Sequence, residues 1–139
     1  MMLKEIMTSE VEVIRPNASL KEAATKMKDL DVGLIPVRDG DRLCGMLTDR
    51  DITVRSTALG NDPANTAVEE VMTKEVVYAF EDQDESVAAM LMEAKQIRRL
   101  IILNRDKRLG GIVSLGDLAT RAAHKSRSAE TLQEVSKPA

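Results

Sequence analysis

Apolar residues recur at helical spacing at Leu20, Ala23, Ala24, Met27 and Leu30, which predicts an amphipathic helix with one buried stripe. Ser19 stands just before it and Glu22 three residues further on, the pattern of a capping box. Two short apolar runs follow, at 32–37 and 43–48. Arg38-Asp39-Gly40-Asp41-Arg42 divides them and reads as the turn of a β-hairpin. A second helix is predicted to open at Asp49, and a short early strand around 11–14 completes the order β-α-β-β-α.

The same grammar returns further along. A shift of 65 residues lays Met7-Thr8 over Met72-Thr73, Glu10-Val11 over Glu75-Val76, and Ala23, Ala24 and Met27 over Ala88, Ala89 and Met92. Val32, Ile35 and Val37 fall on Ile97, Leu100 and Ile102. One extra turn residue then changes the shift to 66, which sets Arg42, Leu43, Gly45, Thr48 and Asp51 over Arg108, Leu109, Gly111, Ser114 and Asp117. Matches held in register over so long a stretch mark two copies of one supersecondary unit. In the second copy Asp84 is the predicted cap and Val87, Ala88, Leu91 and Met92 the stripe. The early strand falls at 76–79, the hairpin at 97–103 and 109–114, and the last helix opens at Leu115-Gly116. The predicted boundaries are 1–60 for the first copy, 61–67 for the linker and 68–123 for the second copy. A polar tail at 124–139 follows, with a weak stripe of Ala129, Leu132 and Val135 and fraying last residues. A unit of roughly sixty residues is marginal alone, so the two sheets are expected to pack against each other, giving an indivisible α/β (α+β) fold.

Composition narrows the chemistry. Tyr78 and Phe80 are the only aromatics, so the core is aliphatic, with eight methionines to fill its gaps. No aromatic platform exists for single-stranded nucleic acid, and a net charge of −3 argues against a basic nucleic-acid surface. Cys44 is the sole cysteine and His124 the sole histidine. That excludes an intramolecular disulfide and a thiolate cluster, and no metal site is expected. No apolar run approaches the ~20 residues of a membrane span, and residues 1–9 lack a signal-peptide core, so a cytoplasmic protein is expected. No Gly-rich phosphate loop or acid–base pair with a nucleophile emerges, so no enzyme activity is expected. Cys44 reads as a buried small hydrophobe and His124 as a surface residue. Glu81-Asp82-Gln83-Asp84-Glu85 reads as a solvated lead into a helix, since it lacks the glycine and spacing of a calcium loop. Met27, Met90 and Leu91 suggest an apolar surface for a two-fold dimer.

The segments Gly45-Met46-Leu47-Thr48-Asp49-Arg50-Asp51 and Gly111-Ile112-Val113-Ser114-Leu115-Gly116-Asp117, within this repeated grammar, resemble a tandem pair of CBS domains, or Bateman module. The resemblance runs from about Leu3 to Leu118, and is to the small stand-alone bacterial two-CBS proteins. It implies two β-α-β-β-α repeats packed sheet to sheet with pseudo-two-fold symmetry, a homodimer, and adenosyl ligands in clefts between the repeats. It also implies regulation of an unidentified protein partner.

The chemistry-bearing pattern is Thr-x-x-Asp at Thr48 and Asp51, with Ser-x-x-Asp at Ser114 and Asp117. Each falls where a strand ends and a helix begins, where free backbone N–H groups suit a phosphate. The hydroxyl donates to a phosphate oxygen, and the carboxylate accepts from two vicinal hydroxyls, as a ribose presents. Arg50 adds a phosphate fork. Both pairs also read as ordinary helix caps, and that alternative stays open. The resemblance carries ligand-binding positions onto Thr8, Gly33, Leu34, Pro36, Thr48, Arg50, Asp51, Thr73, Ile97, Arg98, Leu100, Ser114 and Asp117. Candidate ligands are AMP, ATP, NAD and S-adenosylmethionine, with no required cofactor. Ile101 stands where Pro36 stands in the first copy, Gly110 faces Cys44 in the alignment, and Glu85 takes an apolar helix position. These departures favour the first cleft, although Arg98-Arg99 offer positive charge in the second. The same arginines also read as partners of Glu93 or Asp106. The competing function is a ligand-free dimeric adaptor that docks another protein.

Overall fold

The computed structural model describes residues 1–121 and residue 135. It divides into two compact units, Glu12–Val76 and Met1–Val11 together with the chain from Val77 onward. Each unit is a mixed α+β assembly of a helix-backed antiparallel hairpin.

In the unit formed by Glu12–Val76, helix α2 (Leu20–Leu30) begins where the Ser19 hydroxyl accepts the Glu22 N–H at 3.1 Å, and ends at Asp31 in a left-handed conformation. Strands β1 (Leu34–Asp39) and β2 (Arg42–Thr48) pair antiparallel, with Gly40 supplying the positive φ the turn requires. Helix α3 (Asp49–Arg55) follows at once. Leu20, Ala23 and Met27 join Ile35, Val37 and Leu47 in the core, which Val68, Val71 and Met72 complete from the end of the unit. Cys44 is half-buried against this core.

Two expectations are corrected here. Ala24 and Leu30 lie exposed, because a two-stranded sheet is narrow and covers only the Leu20–Ala23–Met27 stripe. Met27 is therefore core rather than interface. The strand expected at 11–14 shrinks to a bridge in which Ile14 donates to the Pro36 carbonyl at 3.1 Å and accepts from the Arg38 N–H at 2.9 Å. Pro16 has no N–H with which to extend it.

The other unit opens with α1 (Leu3–Ile6) and continues with β3 (Tyr78–Phe80), α4 (Glu85–Lys95), β4 (Arg99–Leu103), β5 (Leu109–Ser114) and α5 (Leu115–Arg121). Its sheet has three strands, ordered β3-β4-β5, with β3 parallel and β5 antiparallel to β4. The wider sheet buries both Ala88 and Ala89, beside Met92, Leu100, Ile102 and Val113. Leu3 and Ile6 of α1 are fully buried in this same core, and Val135 packs against it. The other tail residues of the weak stripe, and His124, lie outside the described residues.

The acidic stretch before α4 is only partly the solvated segment expected. Asp84 caps α4, its carboxylate accepting the Ser86 N–H at 3.0 Å, and hydrogen bonds from Ser86 lower its pKa to about 2. Asp82 pairs with Arg105 at 2.9 Å, which lowers the aspartate pKa and raises that of the arginine. Glu85, however, is buried at 2% exposure, with its carboxylate 3.9 Å from the Met1 amine. It keeps a place in the core region that its charge had suggested it would vacate.

Each sequence copy lends its opening segment to the other copy's hairpin. Thr73 exchanges backbone hydrogen bonds with Met46 at 2.8 and 2.9 Å, and Thr8 does the same with Ile112 at 2.9 and 3.0 Å. The glycines of the repeat make these crossings possible. A Cβ on Gly45 would sit 2.6 Å from the Thr73 carbonyl oxygen, and one on Gly111 2.5 Å from that of Thr8.

Candidate functional site

The first candidate site forms where β2 passes into α3. Thr48 is extended, so its Oγ1 accepts the Asp51 N–H at 3.0 Å while Asp51 Oδ2 accepts the Thr48 N–H at 3.0 Å. This reciprocal box holds Asp51 in place at 8% exposure. Thr73, arriving with the crossing segment, donates its hydroxyl to the same carboxylate at 3.2–3.3 Å. Arg55 lies one turn along α3, its Nε 3.9 Å from Asp51 Oδ1. Its Nη1 donates to the Val71 and Met72 carbonyls at 3.3 and 3.2 Å, fastening the crossing segment to the helix. Gly33 accepts the Asp49 N–H at 3.0 Å, and Leu34 is the register partner of Thr48. Arg50 is exposed on the first turn.

The second site repeats this construction at the junction of β5 and α5. Ser114 Oγ accepts the Asp117 N–H at 3.0 Å, and Asp117 Oδ2 accepts the Ser114 N–H at 2.8 Å. Arg121 Nε lies 3.9 Å from Asp117 Oδ1 and its Nη1 donates to the Ile6 carbonyl at 3.4 Å. Arg98 accepts the Leu115 N–H at 2.9 Å, and Arg99 is the register partner of Ser114. Thr8 is exposed, and among the described residues its hydroxyl makes no bond to Asp117.

Of the expected ligand positions, Gly33, Leu34, Thr48, Arg50, Asp51 and Thr73 gather at the first site. Thr8, Arg98, Ser114 and Asp117 gather at the second. Pro36 is buried further along β1, opposite Met46. Leu100 is 1% exposed in the core and presents no side chain to a ligand. Ile97 is half-buried and donates its N–H to the Met92 carbonyl at the end of α4. The ion pairs expected of Arg98 and Arg99 with Glu93 or Asp106 are absent; among the described residues neither arginine forms one. Arg55 and Arg121 join the sites from outside the positions that the sequence patterns singled out. Their signal was present, because Asp-x-x-x-Arg recurs at 51/55 and 117/121 in the same register as the rest of the repeat.

Among the described residues no group of three or more His, Cys, Asp or Glu side chains is placed to hold a metal ion. No described helix is long and apolar enough to cross a membrane.

Paired hairpin units, each with a hydroxyl–carboxylate box at the start of its last helix, define a repeat-built module. The chain belongs to the CBS-domain family, whose model matches residues 3–56 and 68–124. It is 42% identical over 134 residues to the CBS domain-containing protein YhcV of Bacillus subtilis, covering 96% of this chain and 94% of that protein. It is 39% identical over 119 residues to Hypoxic response protein 1 of Mycobacterium tuberculosis, covering 84% and 81%. The crystal structure of Hypoxic Response Protein I, with two coordinated zinc ions, matches at a TM-score of 0.77 and 33% identity, covering 86% of this chain and 97% of that one. A CBS domain pair crystallised with 5′-methylthioadenosine and S-adenosyl-L-methionine matches at a TM-score of 0.75 and 26% identity, again covering 86% and 97%.

Proposed function

We propose that this chain is a non-catalytic cytoplasmic regulatory module that binds an adenine nucleotide or another adenosyl ligand and so changes its association with a protein partner. The observation that carries the reading is the hydroxyl–carboxylate pair built twice, at Thr48/Asp51 and Ser114/Asp117, in a chain similar to a CBS pair that holds two adenosyl compounds. An ionised carboxylate offers about four acceptor positions. The box and Thr73 leave acceptor capacity on Asp51, and Asp117, which lacks the threonine bond, retains more. Vicinal ribose hydroxyls match that capacity. AMP, ATP, NAD and S-adenosylmethionine share the adenosyl group. A ligand acts on a partner only through differential affinity for two arrangements of the protein or its homodimer.

A ligand-free dimeric adaptor is the second reading. The closed capping boxes favour it, since they give Thr48, Asp51, Ser114 and Asp117 a structural role already. Exposed Val54, Leu59 and Met90 supply apolar surface for such docking.

A melting panel with the four compounds separates the two. A ligand present at a hundred times its dissociation constant adds about 2.7 kcal/mol of stability. Calorimetry on Asp51→Asn and Asp117→Asn then locates it, because hydrogen bonds to a charged acceptor contribute about 1.5–3 kcal/mol and losing them lowers affinity roughly tenfold or more. For a ligand without a phosphate chain the first site is expected to dominate. Absence of any shift across the panel leaves the adaptor.

A further inference from the structure

The two sites carry different charge at positions that the repeat equates. Gly33 and Arg98 are equivalent, since each offers its carbonyl to the first N–H of the following helix, at Asp49 and Leu115. Leu34 and Arg99 are equivalent too, as register partners of Thr48 and Ser114. Directly opposed residues of an antiparallel pair share a face, with Cβ atoms about 4.5–5.5 Å apart. Arg99 therefore stands beside the Ser114 hydroxyl, where the first site has an apolar Leu34 beside Thr48.

The acids change in the opposite sense. At the matching helix-start positions the first site has Asp49 and Asp51 with exposed Arg50, whereas the second has Leu115 in the place of Asp49 and keeps only Asp117 of the two acids. Arg98 and Arg99 are both exposed, and neither forms an ion pair among the described residues. Arg55 and Arg121 are matched between the sites and do not alter the comparison.

We infer that the Ser114–Asp117 site selects an adenosine polyphosphate, while the Thr48–Asp51 site takes adenosyl ligands without a phosphate chain. The inference rests on the adenosyl reading above, and adds the discrimination between sites. Asp117 holds the ribose hydroxyls. Ser114 Oγ accepts from the Asp117 N–H, so its own proton is free to donate to a phosphate oxygen. The Arg99 guanidinium gives that phosphate two parallel charge-assisted bonds, and Arg98 adds to the local positive field.

Isothermal titration of ATP and of adenosine into the full chain and into Arg99→Leu tests this. Leucine is the first site's own residue, and position 99 is exposed, so an unchanged melt checks the fold. Arg99→Leu is expected to lose at least about tenfold in ATP affinity and to show a shallower salt dependence, with adenosine affinity kept within about twofold. Equal ATP affinity in the two proteins, with adenosine still bound, overturns the assignment and leaves the adenosyl reading standing. Failure of the unmodified chain to bind either compound overturns both.

Discussion

Thr73 donates its hydroxyl to the Asp51 carboxylate at 3.2 Å, whereas Thr8, its partner in the repeat, leaves Asp117 without such a bond. The two sites are thus built from one pattern and finished differently. Thr73 is half-buried and ties a crossing segment to a helix start; Thr8 is exposed and crosses through its backbone alone.

Thr73→Val removes one bond to a buried carboxylate while keeping the side chain's volume. Urea denaturation is expected to show a loss of about 1–2 kcal/mol. Thr8→Val is expected to stay within about 0.5 kcal/mol, as an exposed position with no side-chain partner among the described residues. Equal losses in the two variants would show the Thr73 bond to be energetically idle.

Gly45→Ala and Gly111→Ala drive a methyl group into a backbone carbonyl oxygen that already forms part of a two-bond bridge. Neither carbonyl is free to move away, so each variant is expected to lose about 1–3 kcal/mol through forced backbone shifts. Gly33→Ala meets only the Asp49 side chain, at 3.0 Å, which rotates aside. Its melting temperature is the internal control and should fall least of the three.

Acid tests the Asp84 cap. Its folded pKa is lowered to about 2 from an ordinary value near 3.8, so the stability it adds is fully present above about pH 4. That contribution is lost as pH falls towards 2. Asp84→Asn retains a capping oxygen but no charge. The difference in melting temperature between the unmodified chain and this variant should therefore shrink between pH 5 and pH 2 by way of proton uptake at one carboxylate. A difference that stays constant over that interval removes the charge from the cap's contribution.

Fragments test where the folding unit ends. A fragment of residues 1–62 carries the whole first sequence copy but lacks Val68, Val71 and Met72, three members of its core. It is expected to show no cooperative melt. Residues 12–76 restore those side chains and the Thr73–Met46 bridge, so circular dichroism should show more structure from this fragment than from the other. At about 65 residues it stays marginal. The reverse order would place the boundary at the sequence repeat.

The local pattern alone determined the repeat, both hairpins, the caps at Ser19 and Asp84, and the hydroxyl–carboxylate pairs, because each depends on residues within a few positions of one another. Thr48 with Asp51 and Ser114 with Asp117 are three residues apart, so strand-to-helix geometry brings them together wherever the chain goes next. Sheet width was outside that reach. Ala24, expected in the first stripe, and Ala89 occupy one position of the repeat, yet a third strand accompanies the burial of Ala89 and its absence leaves Ala24 exposed. The crossing segments were also a tertiary decision. Met7-Thr8 and Met72-Thr73 were visible as a repeat, but only folding sent each to the other copy's hairpin, where Gly45 and Gly111 leave space for a carbonyl oxygen. Long-range pairing of this kind is set by which backbone groups find partners and which surfaces close over them, and no spacing along the chain encodes it.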